Sequence, residues 1–366
     1  MVDASFVLDG IMKSNFPDHV SIEEWEGRSA DFDVIIDARS EREFADDHLP
    51  GALNLPVVKN DQYAVVGTLH KTDTHEAYLL GVRLSLANIS AAIDQSIKNI
   101  PRDSRVLVYC FRGGKRSILW LNALSMIGFD VTRLTGGWKA YRTWVRARLE
   151  TLSPQFRFNV FCGPTGSGKT RLLYALGRAG AQVIDLEDLA RHRGSLIGHL
   201  PGVAQPSQKL FDSRLLQIMR SLDPSRPVWL EAESKKIGAV ALPKAFFETM
   251  HSGKLFRIDA PMARRVELWR EDYAHFEDDP EDMLKRLSFL RPLVGGVELE
   301  YWRQLASEKK MPELFERLMT HHYDPAYTRS IRKNYTSPDA KALFLNDLTP
   351  TALDEVALEL IREGKA

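Results

Sequence analysis

The 366-residue chain is too long for one typical core, so two or three domains are expected. Hydrophobic residues at 44% and charged residues at 27% give the profile of a soluble globular protein rather than a disordered one. Lys+Arg and Asp+Glu both total 49, so the overall field draws in no polyanion and a nucleic-acid partner needs a local basic surface.

The opening MVDASFVLDG shows neither a basic leader nor an apolar core with a cleavage site, and no apolar run reaches membrane-spanning length. A cytoplasmic protein with no membrane partner is expected. Two cysteines, Cys110 and Cys162, supply no disulfide framework and no four-ligand zinc site. In a reducing compartment a single cysteine in a special loop can serve as a nucleophile.

Along the chain, Phe32–Asp37 reads as a buried strand and Arg105–Tyr109 as another. Ser117–Ile127 follows as a helix, with Ile118, Leu121, Leu124 and Ile127 on one face. Strands alternating with helices predict a parallel sheet. This pattern defines a first domain over 1–150, and Thr151–Pro154 reads as a short linker. A second series then starts: strand Phe156–Phe161, a glycine-rich turn, helix Lys169–Arg178, and strands Gln182–Asp185, Val228–Leu230 and Lys254–Ile258. These outline a second parallel-sheet domain over 151–271. Residues 272–366 read as a mainly helical C-terminal extension packed on it, broken at Pro280, Pro292, Gly295-Gly296, Pro325 and Pro350. The fold class is α/β throughout.

Cys110 lies between a predicted strand and a predicted helix, in Cys110-Phe111-Arg112-Gly113-Gly114-Lys115-Arg116-Ser117. Backbone N–H groups at the helix start and the positive end of its dipole can converge on one spot. Arg112, Lys115 and Arg116 add positive charge, and all of these favour the reactive thiolate. Gly113 and Gly114 allow the unusual angles that such a cradle needs.

Gly163-Pro164-Thr165-Gly166-Ser167-Gly168-Lys169-Thr170 satisfies G-x-x-x-x-G-K-[ST] with a strand before it and a helix after. Its amides can wrap a phosphate, Lys169 can reach a second phosphoryl group, and Thr170 is the candidate Mg²⁺ ligand. Glu231 and Glu233 follow a strand where aspartate is more usual; they can hold Mg²⁺ through water or be solvated charges. Asp185 ends another strand, facing the phosphate site. No bound organic cofactor is expected.

Ile36-Asp37-Ala38-Arg39-Ser40 with Glu43-Phe44, His48–Pro56, and Leu134-Thr135-Gly136-Gly137-Trp138 with Ala140-Tyr141 resemble the signatures flanking the cysteine loop of rhodanese domains. The resemblance spans roughly residues 5–150. It implies that Cys110 carries transferable sulfur or selenium as a persulfide or perselenide, and that Asp37 and Arg39 organise the loop. One departure is the C-x5-R spacing from Cys110 to Arg116, one residue longer than the usual sulfurtransferase loop. That length occurs in phosphatases of the same fold, so a rhodanese-fold phosphatase fused to a P-loop kinase stands as the alternative. A tetrahedral selenium donor needs the same room.

The fusion of a rhodanese-like domain to a P-loop NTPase-like domain resembles the tRNA 2-selenouridine synthases over essentially the whole chain. His192-Arg193-Gly194-Ser195, Gln205–Gln208 and Glu231–Gly238 support the match. The resemblance implies a transferase with tRNA as partner and two co-substrates. Geranyl diphosphate alkylates the sulfur of wobble 2-thiouridine, and selenium from selenophosphate then replaces S-geranyl. Cys110, Arg112 and Arg116 are the catalytic candidates, and the loop from Gly163 to Thr170 is the diphosphate site. Arg193 and Ser195 are candidates to cover the diphosphate or the base. Arg264, Arg265 and Arg270 beside Trp269, and Arg329, Arg332 and Lys333 beside Tyr335, are RNA-binding candidates that also suit solvated helix faces. A third reading, a nucleotide switch with a docking module, has no use for an activated thiol.

Overall fold

The computed structural model describes residues 19–278, 280–334 and 341–363, without the side chains of 277, 278 and 330–334. The chain divides into two compact units. One runs to Arg148 and includes Asp212–Gln217; the other holds Leu149–Phe211 and everything from Ile218 onward.

The first unit is built on five parallel strands: β1 (His19–Val20), β2 (Val34–Asp37), β3 (Ala52–Asn54), β4 (Arg105–Tyr109) and β5 (Asp130–Leu134). Their order is β1-β5-β4-β2-β3, which puts β4 in the middle. A central parallel strand is covered on both faces, so it carries an unbroken apolar run. Val106, Leu107, Val108 and Tyr109 are accordingly buried. Ile36, Val106, Val108 and Val131 pack with Trp120 and Leu124 of the helix Lys115–Ile127.

Between β3 and β4 the chain forms a helical hairpin, Asn60–Thr72 and Thr74–Gln95, that the sequence reading did not identify. The first of these helices has no buried residue, so no buried stripe marks it.

The second unit has its own five-stranded parallel sheet. It contains β6 (Phe158–Cys162), β7 (Gln182–Val183), β8 (Val228–Glu231), β11 (Lys254–Asp259) and β12 (Lys341–Phe344). A small antiparallel pair, β9 (Lys236–Ile237) and β10 (Val240–Ala241), lies outside it. The sheet order is β12-β11-β6-β8-β7, so β6 is central. Helix Lys169–Arg178 packs Leu172, Leu173 and Leu176 against one face, together with Leu353, Ala357 and Leu360 of Pro350–Arg362. A separate helical cluster around Trp269, Trp302, Phe315 and Leu318 fills most of the stretch from 262 to 323.

One expectation is corrected, and one is borne out with an addition. Thr151–Pro154 is not a linker: helix Gly137–Leu152 runs into it, a 3₁₀ turn at Ser153–Gln155 follows, and Leu152 and Ser153 are buried. The C-terminal stretch is mainly helical, but it also returns to the sheet. β12 pairs with β11 in register Phe256↔Lys341 to Asp259↔Phe344. A four-residue, mostly exposed edge strand has neither the length nor the alternation that marks a strand in sequence.

Candidate active site

In each unit a distinctive loop leaves the carboxyl end of the central strand, where open parallel sheets form crevices. In the first unit that loop begins with Cys110, which is 3% exposed. The Gly114 N–H donates to Sγ at 3.2 Å, and the Ser117 hydroxyl lies 3.3 Å from the same sulfur. Ser117 is buried, and its hydroxyl also reaches the Gly114 carbonyl at 3.0 Å. The sulfur therefore sits at the N-terminal end of the helix Lys115–Ile127, among donors.

The downstream glycine pair fixes this loop from behind. Trp138 and Lys139 donate their N–H groups to the carbonyls of Cys110 and Phe111 at 2.8 and 3.0 Å. A Cβ on Gly137, whose φ is +55°, would lie 2.2 Å from the Cys110 carbonyl oxygen. Only glycine lets the two segments approach so closely.

The three cations of the loop are held in different ways. Arg116 forks onto Glu43 with contacts of 2.6 and 3.2 Å. Burial raises the Glu43 pKa, but the Arg116 bonds and charge outweigh it and hold the carboxyl below its ordinary range. Arg112 and Lys115 are exposed and lie over aromatic rings, Arg112 5.7 Å from Phe111 and Lys115 4.6 Å from Tyr78. Asp37 and Arg39 form a buried pair, 2.6 Å at its shortest, and Arg39 also donates to the Asp47 carbonyl at 2.6 Å. The guanidinium lies 5.0 Å from the ring of Trp138, the residue whose N–H holds the Cys110 carbonyl.

In the second unit the phosphate loop is closed on itself. Lys169 Nζ donates to the carbonyls of Gly163 and Pro164 at 3.0 and 3.1 Å, and the Gly163 N–H donates to the Tyr327 hydroxyl. Arg265, expected on an RNA surface, is 5% exposed. Its Nε donates to the Thr165 carbonyl at 2.9 Å while both terminal nitrogens hold Asp324. It is a brace of the loop, and Trp269 beside it is core at 1% exposure. Arg264 is exposed and paired with Glu267 at 2.8 Å. Arg270 and Arg329 are exposed. The side chains of Arg332 and Lys333, and all of Tyr335, lie outside the described residues.

Carboxylates gather beside the loop. Glu231 ends β8, is buried, and is hydrogen-bonded to Thr170. Burial, offset in part by Lys169, pushes its pKa up. Burial and the neighbouring Glu231 charge push Glu233 up to about 8. Glu187 is raised well above the carboxylate range by burial and by Glu231 and Glu233. Gly194, with φ +65°, comes so close that a Cβ there would meet Glu233 Oε2 at 2.7 Å and Glu187 Oε1 at 3.1 Å. The Arg193–Ser195 turn thus lies against the carboxylates. Arg193 pairs with Asp272 at 3.3 Å and lies 5.1 Å from the Tyr273 ring, whose hydroxyl is 3.3 Å from Ser195 Oγ. Asp185 accepts from the Tyr174 hydroxyl and from the Asp188 N–H that starts the next helix.

Glu231 Oε1 and Ser167 Oγ are buried without a hydrogen-bond partner among the described residues. The orphaned Glu231 oxygen, on a side chain bonded to Thr170, fits a hard cation. No group of three or more His, Cys, Asp or Glu forms a metal cage among the described residues. Such a donor set suits Mg²⁺, which keeps waters and substrate phosphates rather than an all-protein shell.

Sequence reasoning missed Glu187, Asp324 and Tyr327, and named Glu43 only as part of a motif. Glu43 and Glu187 lie close to residues it did single out, whereas Asp324 and Tyr327 approach the loop from about 160 residues downstream with no local signal.

A family model described as the tRNA 2-selenouridine synthase AAA domain matches residues 156–285, and the rhodanese-like domain matches 21–143. A tRNA 2-selenouridine synthase of Nitrosomonas europaea is 37% identical over 284 residues, 75% of this chain and 72% of that protein. One of Hydrogenovibrio crunogenus is 32% identical over 348 residues, 85% of this chain and 92% of the relative. The chain belongs to the tRNA 2-selenouridine synthase family. A third member, from a Sulfurovum species, is 32% identical over 329 residues and is matched over 89% of its length. Among the described residues no helix is long and apolar enough to cross a membrane.

Proposed function

We propose that this member of the tRNA 2-selenouridine synthase family works in two stages, one on each loop, as a cytoplasmic transferase. Family membership supports an enzyme that makes 2-selenouridine in tRNA. The finer reading is that geranyl diphosphate first alkylates the sulfur of wobble 2-thiouridine and that selenium from selenophosphate then replaces the S-geranyl group.

The order follows from leaving-group chemistry. A thiocarbonyl sulfur departs poorly, whereas an alkylated sulfur leaves as a thiolate. In the first stage the thiouracil sulfur attacks C1 of the prenyl group, the C1–O bond breaks, and its electron pair leaves with diphosphate. The uracil N3 proton is lost as the C2–N3 double bond forms. The loop from Gly163 to Thr170 would hold the diphosphate through its amides and Lys169. Mg²⁺ held by Thr170, with Glu231 behind it, would neutralise part of the diphosphate charge when bound. In the second stage selenium attacks C2 and geranylthiolate leaves. Cys110, among the donors of its loop, belongs to that stage.

The observation that favours a diphosphate holder over an ATP motor is Arg265. The guanidinium braced against the phosphate loop is committed to Thr165 and Asp324, and is not free to act as an arginine finger. The test is mass spectrometry of nucleosides from 2-thiouridine tRNA, incubated with the protein, Mg²⁺ and geranyl diphosphate, then with selenophosphate. S-geranyl-2-thiouridine followed by 2-selenouridine is expected. A requirement for ATP hydrolysis in the first stage, or unaltered 2-thiouridine from folded protein, would overturn the reading.

A further inference from the structure

The cysteine loop combines three features that the selenium step must account for. From Cys110 to Arg116 it spans C-x5-R, with Gly113 and Gly114 in between. The next residue, Ser117, puts a buried hydroxyl 3.3 Å from the sulfur. Arg116 is held by the two oxygens of Glu43, so its guanidinium is fixed in place. A sulfur nucleophile, a hydroxyl within hydrogen-bond reach of that sulfur, a fixed arginine and loop amides are the parts a phosphoryl-transfer cradle needs.

Electron counting decides what such a cradle does with a selenophosphate donor. Selenium in selenophosphate is at the oxidation level of selenide. Joining it to the Cys110 sulfur as a perselenide removes two electrons and needs an oxidant, and releasing it again needs a second thiol. The chain has two cysteines, and the other, Cys162, ends β6 in the other unit. Burial raises its thiol pKa, further from the thiolate that exchange requires. Transfer of the phosphoryl group needs neither oxidant nor reductant.

We infer that Cys110 takes the phosphoryl group of selenophosphate and releases selenide beside the waiting base. This rests on the proposed selenophosphate-dependent stage. The S–P bond forms as the P–Se bond breaks, and the bonding pair leaves with selenium. Water then attacks phosphorus, orthophosphate departs, and the pair returns to the Cys110 sulfur, which the Ser117 hydroxyl receives with a hydrogen bond. Selenide attacks C2 of the S-geranyl base and expels geranylthiolate. Every step is redox-neutral.

The experiment uses the full-length protein and selenophosphate under anaerobic conditions without added thiol, quenched in denaturant and digested for peptide mass spectrometry. The Cys110 peptide is expected to carry a phosphoryl group, with the selenide released equal to the orthophosphate plus the trapped adduct. Ser117→Ala is expected to slow the return step and raise the trapped fraction about tenfold, the worth of one hydrogen bond to a charged group. Ser117→Thr, which keeps the hydroxyl, should restore it. Selenium on the Cys110 peptide, or selenide release only after a thiol is added, would overturn the inference. So would 2-selenouridine formation with no phosphoryl adduct in either the wild type or Ser117→Ala. If the wild type makes no 2-selenouridine from S-geranyl tRNA and selenophosphate, the failure lies with the two-stage reading instead.

Discussion

Arg265 and Asp324, 59 residues apart, meet as a forked ion pair with contacts of 2.9 and 2.6 Å, and the same guanidinium holds the phosphate loop by the Thr165 carbonyl. The Arg265 side chain is 6% exposed and that of Asp324 29%. Removing one partner strands a charge in a poorly solvated place, which costs about 3–5 kcal/mol for a fully buried pair. Partial exposure of Asp324 puts the expectation at the low end. Arg265→Ala should lower the unfolding midpoint of the protein in urea and weaken inorganic diphosphate binding, whereas Arg264→Ala, on the exposed side of the same helix, should change neither. Equal behaviour of the two variants would deny Arg265 its bracing role.

Gly137 sets the distance between the two motifs that frame Cys110. Gly137→Ala places a methyl group where the Cys110 carbonyl lies, at a φ that alanine disfavours. Selenation of S-geranyl tRNA should fall more than about tenfold, the effect expected when a reacting group moves by about 1 Å. Geranylation should be retained, so the ratio of the two nucleoside products reports the effect even if the variant is less stable.

Glu43 fixes Arg116 at the end of the same cysteine loop. Glu43→Gln keeps the shape but removes the charge that holds Arg116 by contacts of 2.6 and 3.2 Å. Selenophosphate turnover should drop while geranylation is unchanged. A matched loss in both stages would mean that the pair serves only the fold.

The carboxylates beside the phosphate loop give a pH signature with a definite sign. Glu187, Glu231 and Glu233 all have raised pKa values in the fold, Glu233 at about 8, against about 4.3 for an unfolded glutamate. Between those values the folded protein holds more protons than the unfolded chain, so stability falls as pH rises from about 5 to about 8. Lys169 opposes this and Asp185 adds to it. Melting temperatures measured across that window should decline in the wild type, and less so in Glu233→Gln. A flat wild-type profile would contradict the crowding of charge.

The sequence made both loops legible because each is a local pattern. A short stretch fixes the donors around Cys110, and another fixes the phosphate cradle, each flanked by a strand and a helix. The central placement of β4 and β6 was also within reach, since only doubly covered strands carry runs such as RVLVY and FNVFC. What was not legible depends on residues far apart. Arg265 looked like a basic surface because its neighbours Arg264 and Arg270 are exposed, and only the return of Asp324 turns it inward. Lys115 and Arg112 raised the charge count of the cysteine loop, yet both side chains point onto aromatic rings at its rim. β12 is too short and too exposed to announce itself, although Leu345 and Leu348 just beyond it are core.

The division of labour between the two loops is the central claim, and one paired measurement tests it. Cys110→Ala and Lys169→Ala are each given 2-thiouridine tRNA with geranyl diphosphate and Mg²⁺, and separately S-geranyl tRNA with selenophosphate, and the nucleosides are resolved by mass spectrometry. Cys110→Ala should stop at S-geranyl-2-thiouridine; Lys169→Ala should leave 2-thiouridine untouched yet convert the pre-geranylated tRNA to 2-selenouridine. Loss of both stages in either folded variant, or geranylation by Lys169→Ala at the wild-type rate, would contradict it.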